Sequence, residues 1–530
     1  MTYSIEHIAS IVHGQCTGKI AGEPLISHLL IDSRKLLFPA NSLFFAISGK
    51  RRDGHVFIPD LYQRGVRHFV VAQKQDIVKY PEAVFVVVAD VLEALQRLAA
   101  WHRSRFTCPV IAITGSNGKT IVKEWLQQLL EEQYQIVRSP RSYNSQIGVP
   151  LSVWQMNETH QLGIFEAGIS QVGEMEKLQR IIQPDIGIFT NIGEAHSEGF
   201  LHSGQKLKEK MRLFSNVKLL IYCRDHNEIH EAAASLWQSR HRHSDPPLSL
   251  FDWGYHAAAS LQILSIHKEQ DWSHIQLRYK EEIFGLDFPF IDPASLENIM
   301  HCLCVLLYLQ TDMPAWKEKI MQLRPVPLRL EMKPAIHHCT LINDSYSADL
   351  SSLKLALDFL QIQSAGKAKA VILSDLLESG RPERTLYTEI AQLLQQQNLK
   401  RFVGIGEKMM LYRSLFFKEG RIEAQFYPDT EAFLQAFGRI GFRDELILLK
   451  GARVFEMERI AALLEQKFHQ TLLEINLSAI THNLKQYQQR LNPSTRMMAM
   501  VKAFAYGSGT YQIARILEFN GIDYLGVAYT

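Results

Sequence analysis

The heptapeptide Thr114-Gly115-Ser116-Asn117-Gly118-Lys119-Thr120 carries the most specific chemistry in the chain. Its glycines let successive backbone N–H groups converge on phosphate oxygens, and a helix starting behind the loop adds the favourable end of its dipole. Lys119 has the reach to meet β- and γ-phosphates, and the Thr120 hydroxyl suits Mg²⁺. The loop is shorter than the common G-x-x-x-x-G-K-[ST] form, with two residues between its glycines. Two further residues fit the same chemistry. Glu166 falls within the apolar run Gly163 to Ala167, and His196 follows the run DIGIFTNIG. Both stand at or just beyond strand carboxyl ends, where ligands bind in open α/β sheets. A carboxylate and an imidazole there complete a magnesium shell begun by phosphate and Thr120. Each alone is an ordinary loop residue; their shared position after successive strands makes the joint reading the better one. The loop by itself leaves kinase, hydrolase and ligase chemistry open.

The elements that must position these groups are legible from periodicity. Val110 to Thr114 reads as a buried strand, followed by the glycine turn and a helix from Lys119 to Glu131. Strand, turn and helix in that order open a parallel α/β section. Further strands are expected at 163–167, 186–190 and 219–223, and a hairpin over 261–277. The stretch 241–254 reads as a loop, and 294–309 as an apolar helix. Before this section, strands at 42–47, 68–72 and 83–89 and a helix over 91–105 make a small α/β unit. After prolines 325 and 327, strands at 370–373, 401–405 and 446–449 make a third.

The 530 residues correspond to roughly three and a half domains. With 46% hydrophobic and 21% charged residues, the chain has material for several cores. Its net charge of +2 gives no whole-chain reason to expect nucleic acid or an acidic membrane as partner. The six cysteines form no C-x-x-C pair, so neither zinc ribbon nor disulfide framework is indicated. The first residues lack the pattern of a signal peptide and no apolar run is long enough to span a bilayer, so a cytoplasmic location is expected.

These motifs resemble the Mur ligases of peptidoglycan synthesis. TGSNGKT is similar to their short phosphate loop, and TNIGEAH (190–196), preceded by the Glu166 strand, to their metal-binding segments. YNSQIGVPLS (143–152), GEMEKL (173–178), DSR (32–34) with DGHVF (53–57), NDSYSADLSSLKLAL (343–357), LSDLLESG (373–380) and LLKGAR (448–453) resemble the branch adding D-alanyl-D-alanine. The resemblance implies three domains: a UDP-sugar-binding α/β domain at 1–106, a central ATP-binding parallel-sheet domain at 107–322 and a Rossmann-like domain at 323–468. It implies ATP and Mg²⁺ as cofactors, UDP-MurNAc-tripeptide and D-Ala-D-Ala as substrates, and a monomer.

By residue, the resemblance places Gly115, Ser116, Asn117, Gly118, Lys119 and Thr120 on ATP, and Thr120, Glu166 and His196 on magnesium. Lys119, His196 and Lys210 form the catalytic group; Lys210, four residues before Phe214, matches a lysine that family members often carry as a carbamate. Asn298 is similar to an adenine-contacting asparagine, and Arg329 and Asp344 to the pair by which the third domain closes on ATP. Ser33 and Arg34 would touch the uridine nucleotide, Asn144 the substrate, and Lys450 and Arg453 the incoming dipeptide carboxylate. The family's usual Y-N-A-N-P reads Tyr346-Ser347-Ala348-Asp349-Leu350 here, and G-D-M-x-E-L-G reads Ser374-Asp375-Leu376-Leu377-Glu378-Ser379-Gly380.

Residues 469–530 are different in kind. LLEINLSAITHNL (472–484) and MAMVKAFAYGSG (498–509) resemble the start of alanine racemase, with Lys502 matching the lysine that holds pyridoxal phosphate (PLP). A (β/α)₈ barrel takes about 250 residues, so an incomplete barrel fragment is expected, with PLP and racemase activity belonging only to a full-length racemase. The alternatives are a ligase–racemase parent with only its ligase part intact, a Mur ligase for another amino acid, a plain phosphotransferase or hydrolase, and a racemase with a ligase scaffold.

Overall fold

Val110–Thr114 is apolar along its length because both of its faces are covered. Val110 and Ala112 pack into one hydrophobic cluster and Ile111 and Ile113 into another, the alternation a pleated strand imposes. In the computed structural model, the described residues are 2–530 except 19–24, 50–52, 194–198, 201, 243–246, 270–271, 347, 365, 378–380, 417–421, 467–474, 489, 493–494, 503–504, 506–509 and 529–530. The chain divides near residue 466 into two compact units, each described by itself.

The larger unit is α/β throughout. Among the described residues its largest sheet has nine strands, in the order 282–288, 272–279, 261–269, 249–254, 219–223, 186–189, 110–114, 162–166 and 136–138. The strands from Ile136–Arg138 to Leu261–Glu269 run parallel, and the last two turn back as hairpins. Val110–Thr114 comes first in this series yet lies inside the sheet, between Ile186–Phe189 and Leu162–Glu166. The connections leaving it therefore diverge, and a crevice opens beyond its carboxyl end. The phosphate loop sits there.

A five-stranded sheet from residues 15–87 and a six-stranded sheet from residues 331–450 flank it in sequence. Expected strands appear within a residue or two of their forecast ends. Ser249–Gly254 is the exception, since it was read as loop from the Asp-Pro-Pro cluster at 245–247. It is a strand because Phe251 and Trp253 are buried and it pairs in parallel with Leu219–Cys223. Among the described residues no helix is long and apolar enough to cross a membrane.

The first section is joined to the central one through a buried histidine. His102, on the helix Val91–Arg103, is 1% exposed. Its Nε2 lies 3.0 Å from the Met156 carbonyl, so that nitrogen donates, and Nδ1 accepts from the Tyr3 hydroxyl at 2.8 Å. Trp154 Nε1 adds a bond to the Ser27 carbonyl at 2.9 Å. Burial holds the His102 pKa down to about 4. Below the unfolded value of about 6.5, the unfolded chain takes up a proton that the folded imidazole refuses, so stability falls as pH drops towards about 4. The expected loss is about 3 kcal/mol, measured by denaturant unfolding at neutral and acid pH. In His102→Gln this share of the acid sensitivity should vanish; an unchanged pH dependence would contradict the assignment.

The smaller unit contains a strand Met498–Met500, a helix Thr510–Phe519 and a strand Tyr524–Gly526, with the two strands parallel. This is one βαβ step. A helix Leu477–Gln488 precedes it, and Leu484, Val501, Ala505, Ile513 and Leu517 form its core. Lys502 follows the first strand by two residues and is exposed.

Candidate active site

The loop after Val110–Thr114 needs glycine at two points. Gly115 has φ +146°, and a Cβ there would meet Thr190 Oγ1 at 1.9 Å. Gly118 has φ +83°, and its Cβ would meet Asn298 Oδ1 at 2.2 Å. Both positions combine a conformation that favours glycine with a close approach. The segment after Ile186–Phe189 grips the loop from the side. Asn191 accepts the Ser116 amide through its carbonyl and the Asn117 amide through Oδ1, both at 2.9 Å. Thr190 Oγ1 donates to the Asn117 carbonyl at 2.5 Å, and Ser116 Oγ and the Gly193 backbone bond reciprocally at 2.7 and 3.1 Å. Sequence reading placed this segment at the metal and missed its second task of shaping the loop. A Thr-Asn pair at a strand end, beside a loop rich in amides, is the signal that was available.

Lys119 folds back over the loop, its Nζ 2.7 Å from the Gly115 carbonyl and 2.9 Å from that of Ser116. Burial lowers its pKa to about 8, against the pull of Glu166. Lys210 approaches the same carbonyl of Gly115 at 3.0 Å, and Lys206 reaches that of Gly193 at 2.5 Å. Lys210 is 3% exposed; burial first, then the charges of Lys119 and Lys206, push its amine well below the usual lysine range. Two lysines thus meet on the loop and a third on the segment beside it, a concentration of positive charge suited to a polyphosphate.

Thr120 Oγ1 donates to Glu166 Oε2 at 3.0 Å and also lies 3.0 Å from Ser142 Oγ. Glu166 is fully buried, and its Oε1 lies 2.9 Å from the Lys123 ammonium in a buried ion pair. Its Oε2, beside the Thr120 hydroxyl, is a hard oxygen donor of the kind that magnesium takes. The residues present therefore fit a divalent cation. His196, the third expected ligand, lies outside the described residues.

A cavity of about 430 Å³ extends from the loop to the third sheet. The central section contributes Lys119, Thr120, Asn144 and Asn298, and the third section Arg329, Asp344 and Arg453. Asn298 is buried on the helix Pro293–Tyr308 and abuts Gly118. The Arg329 and Arg453 guanidinium carbons lie 4.0 and 3.9 Å from the Tyr346 ring centroid, a shared cation–π contact that sequence reading did not anticipate. Where the family proline is replaced by Leu350, the helix Leu350–Gln363 begins on a capping box between Asp349 and Ser352. Lys450, expected at the dipeptide carboxylate, is fully buried, does not line the cavity, and is paired at 2.5 Å with Asp344.

Ser33 and Arg34 belong to the first section, away from the cavity lining. Arg34 is largely exposed and paired with Asp32, and the Ser33 carbonyl accepts from Arg64 at 2.8 Å. Nearby in sequence, Asp53 accepts from Ser48 Oγ and His55 Nδ1, both at 2.7 Å, while His55 Nε2 accepts the Ala72 amide. These bonds hold the Asp53 carboxyl down at about 2.

Comparison with known proteins follows the same outline. The Mur ligase middle domain matches residues 113–306, the Mur ligase family catalytic domain residues 25–103, and the alanine racemase N-terminal domain residues 475–530. UDP-N-acetylmuramoyl-tripeptide--D-alanyl-D-alanine ligase of Bacillus subtilis is 27% identical over 468 residues, covering 86% of this chain and 97% of that protein. The ligase of the same name from Borreliella burgdorferi is 26% identical, covering 83% and 94%. MurF of Acinetobacter baumannii has a similar fold, with a TM-score of 0.73 at 22% identity over 87% of this chain and 99% of that one. MurF ligase of Thermotoga maritima, solved in complex with ADP, gives 0.67 at 19% identity over 82% and 96%. With its phosphate loop, flanking sections and domain matches in agreement, the chain belongs to the Mur ligase family, followed in sequence by an alanine racemase N-terminal segment.

Proposed function

We propose that this protein joins D-alanyl-D-alanine to UDP-MurNAc-tripeptide at the expense of ATP, through an acyl phosphate. The observation that carries the proposal is the cavity in which Lys119 and Thr120 share walls with Arg329, Asp344 and Arg453 from the third section. A simple hydrolase has no need of a second α/β section contributing two arginines opposite its phosphate loop. The curated relatives matched over nearly their whole length carry this activity in their names.

In this reading the loop amides and Lys119 hold the β- and γ-phosphates of ATP. The tripeptide's terminal carboxylate attacks the γ-phosphorus; a carboxylate–phosphorus bond forms and ADP leaves. The dipeptide amine then attacks the acyl carbon, loses a proton and expels inorganic phosphate. Both steps bring anions together, so catalysis rests on positioned positive charge. Thr120, Glu166 and His196 would hold magnesium, which when bound supplies charge neutralisation on the phosphate oxygens. Arg329 and Arg453, both against the Tyr346 ring on the cavity wall, would stabilise the transferring phosphoryl group. Lys450 acts on Asp344 and not on substrate. Burial and the charges of Lys119 and Lys206 disfavour the ammonium of Lys210 and so favour the free amine that takes up carbon dioxide, and a carbamate there would present a negative charge to both lysines. Asn298 shapes the loop, Asn144 borders the acyl substrate, and Ser33 and Arg34 bind the uridine nucleotide. The ligase reading draws on no residue from 475–530, Lys502 and its PLP chemistry included.

Phosphate release from ATP, followed with each substrate omitted in turn, tests the proposal. Steady turnover should need both UDP-MurNAc-tripeptide and D-Ala-D-Ala. Release indifferent to both would overturn it, and equal turnover with a single amino acid in place of the dipeptide would assign a different branch of the family.

A further inference from the structure

Lys123 stands one turn into the helix Lys119–Leu130, and its side chain is completely buried. A lysine is rarely found so deep unless its charge has a use or a partner. Its Nζ donates to the Ser139 carbonyl at 2.8 Å and to the Arg141 carbonyl. It also lies 2.9 Å from Glu166 Oε1 and 3.1 Å from Glu124 Oε1. The two carbonyls take two of the three ammonium N–H groups, and the contact with Glu166 Oε1 is a buried ion pair. Ser139 completes the arrangement, its Oγ accepting the Glu166 amide at 3.1 Å. From Ser139 and Arg141 the chain runs directly into Ser142 and Asn144 on the cavity wall.

We propose that Lys123 is a positioning residue for the magnesium–nucleotide complex. Its ammonium, itself anchored by two carbonyl bonds, fixes the fully buried Glu166 carboxylate with Oε2 beside the Thr120 hydroxyl. The ammonium touches neither substrate nor reacting atoms; it acts through Glu166. This inference rests on the reading of Thr120 and Glu166 as cation ligands.

A lysine that merely supports the fold would, when replaced, weaken ADP binding equally with and without magnesium. A positioning lysine affects the magnesium-dependent part. Calorimetric titration of ADP, in magnesium and in EDTA, separates the two for wild type, Lys123→Met, Glu166→Gln and the double variant. The expected result is that K123M and E166Q each reduce the magnesium enhancement of ADP affinity by about tenfold or more, as loss of an outer-shell partner does. K123M should leave binding in EDTA within about threefold of wild type, and the double variant should lose no more than E166Q, because the lysine acts only through the carboxylate. Normal magnesium enhancement in K123M, with E166Q impaired, would overturn the proposal. Normal enhancement in E166Q would instead overturn the metal reading beneath it. If K123M does not fold, the double variant decides alone, since a further loss of about tenfold below E166Q would contradict action through Glu166.

Discussion

Replacing Lys119 by alanine abolishes turnover: kcat/KM for ATP-dependent ligation is expected to fall by at least about a thousandfold, about 4 kcal/mol of transition-state stabilisation. The magnitude follows from the position of the ammonium. It is held at 2.7 and 2.9 Å from two loop carbonyls, those of Gly115 and Ser116. As the γ-phosphoryl group transfers, negative charge shifts toward the leaving ADP oxygen, and Lys119 is the loop's own cation at that place. Of the three lysines only Lys119 reaches the Ser116 carbonyl as well as that of Gly115; Lys210 meets the Gly115 carbonyl alone and Lys206 that of Gly193. Stability should change little, because the substitution removes a burdened charge and only two bonds to loop carbonyls. The check is steady-state kinetics beside thermal unfolding. Near-normal rates in a folded variant would refute the assigned role.

The largest effect on stability is expected at Lys450. Its ammonium is fully buried and paired at 2.5 Å with Asp344, whose residue is 6% exposed. Lys450→Met leaves the Asp344 carboxylate without its lysine partner at the ends of the parallel strands Thr340–Asp344 and Glu445–Lys450, with Arg329 as the remaining charge that acts on it. Breaking a buried pair from one side costs about 3–5 kcal/mol, whereas removing both charges costs far less. Denaturant unfolding of K450M, Asp344→Asn and the double variant gives the coupling directly. Loss below about 1 kcal/mol in K450M would contradict the buried-pair account. Activity should fall in both single variants, because Asp344 lines the cavity and Lys450 holds it in place.

What the sequence revealed, and what it hid, divides along physical lines. Val110–Thr114 was legible because a strand covered on both faces is apolar throughout, and the loop because its glycines serve a local conformation. Ser249–Gly254 was hidden by the turn residues just before it; its burial comes from a neighbouring strand 30 residues earlier in the chain. Charged residues were the least legible. Lys123, Lys210 and Lys450 look in sequence like the solvated lysines of helices and strand ends, yet all three are buried. Only the tertiary partners distinguish them: two carbonyls and Glu166 for the first, the Gly115 carbonyl for the second, Asp344 for the third. The Tyr346 contact with two arginines was hidden for the same reason, since it brings together residues 329, 346 and 453.

The central claim is that one site couples ATP cleavage to amide formation through an acyl phosphate. Heavy-oxygen label placed in the terminal carboxylate of UDP-MurNAc-tripeptide tests it most directly, with inorganic phosphate and nucleotide products analysed by mass spectrometry after turnover with D-Ala-D-Ala. The account predicts one labelled oxygen in each phosphate released. Phosphate free of label, or label found in AMP, would contradict it.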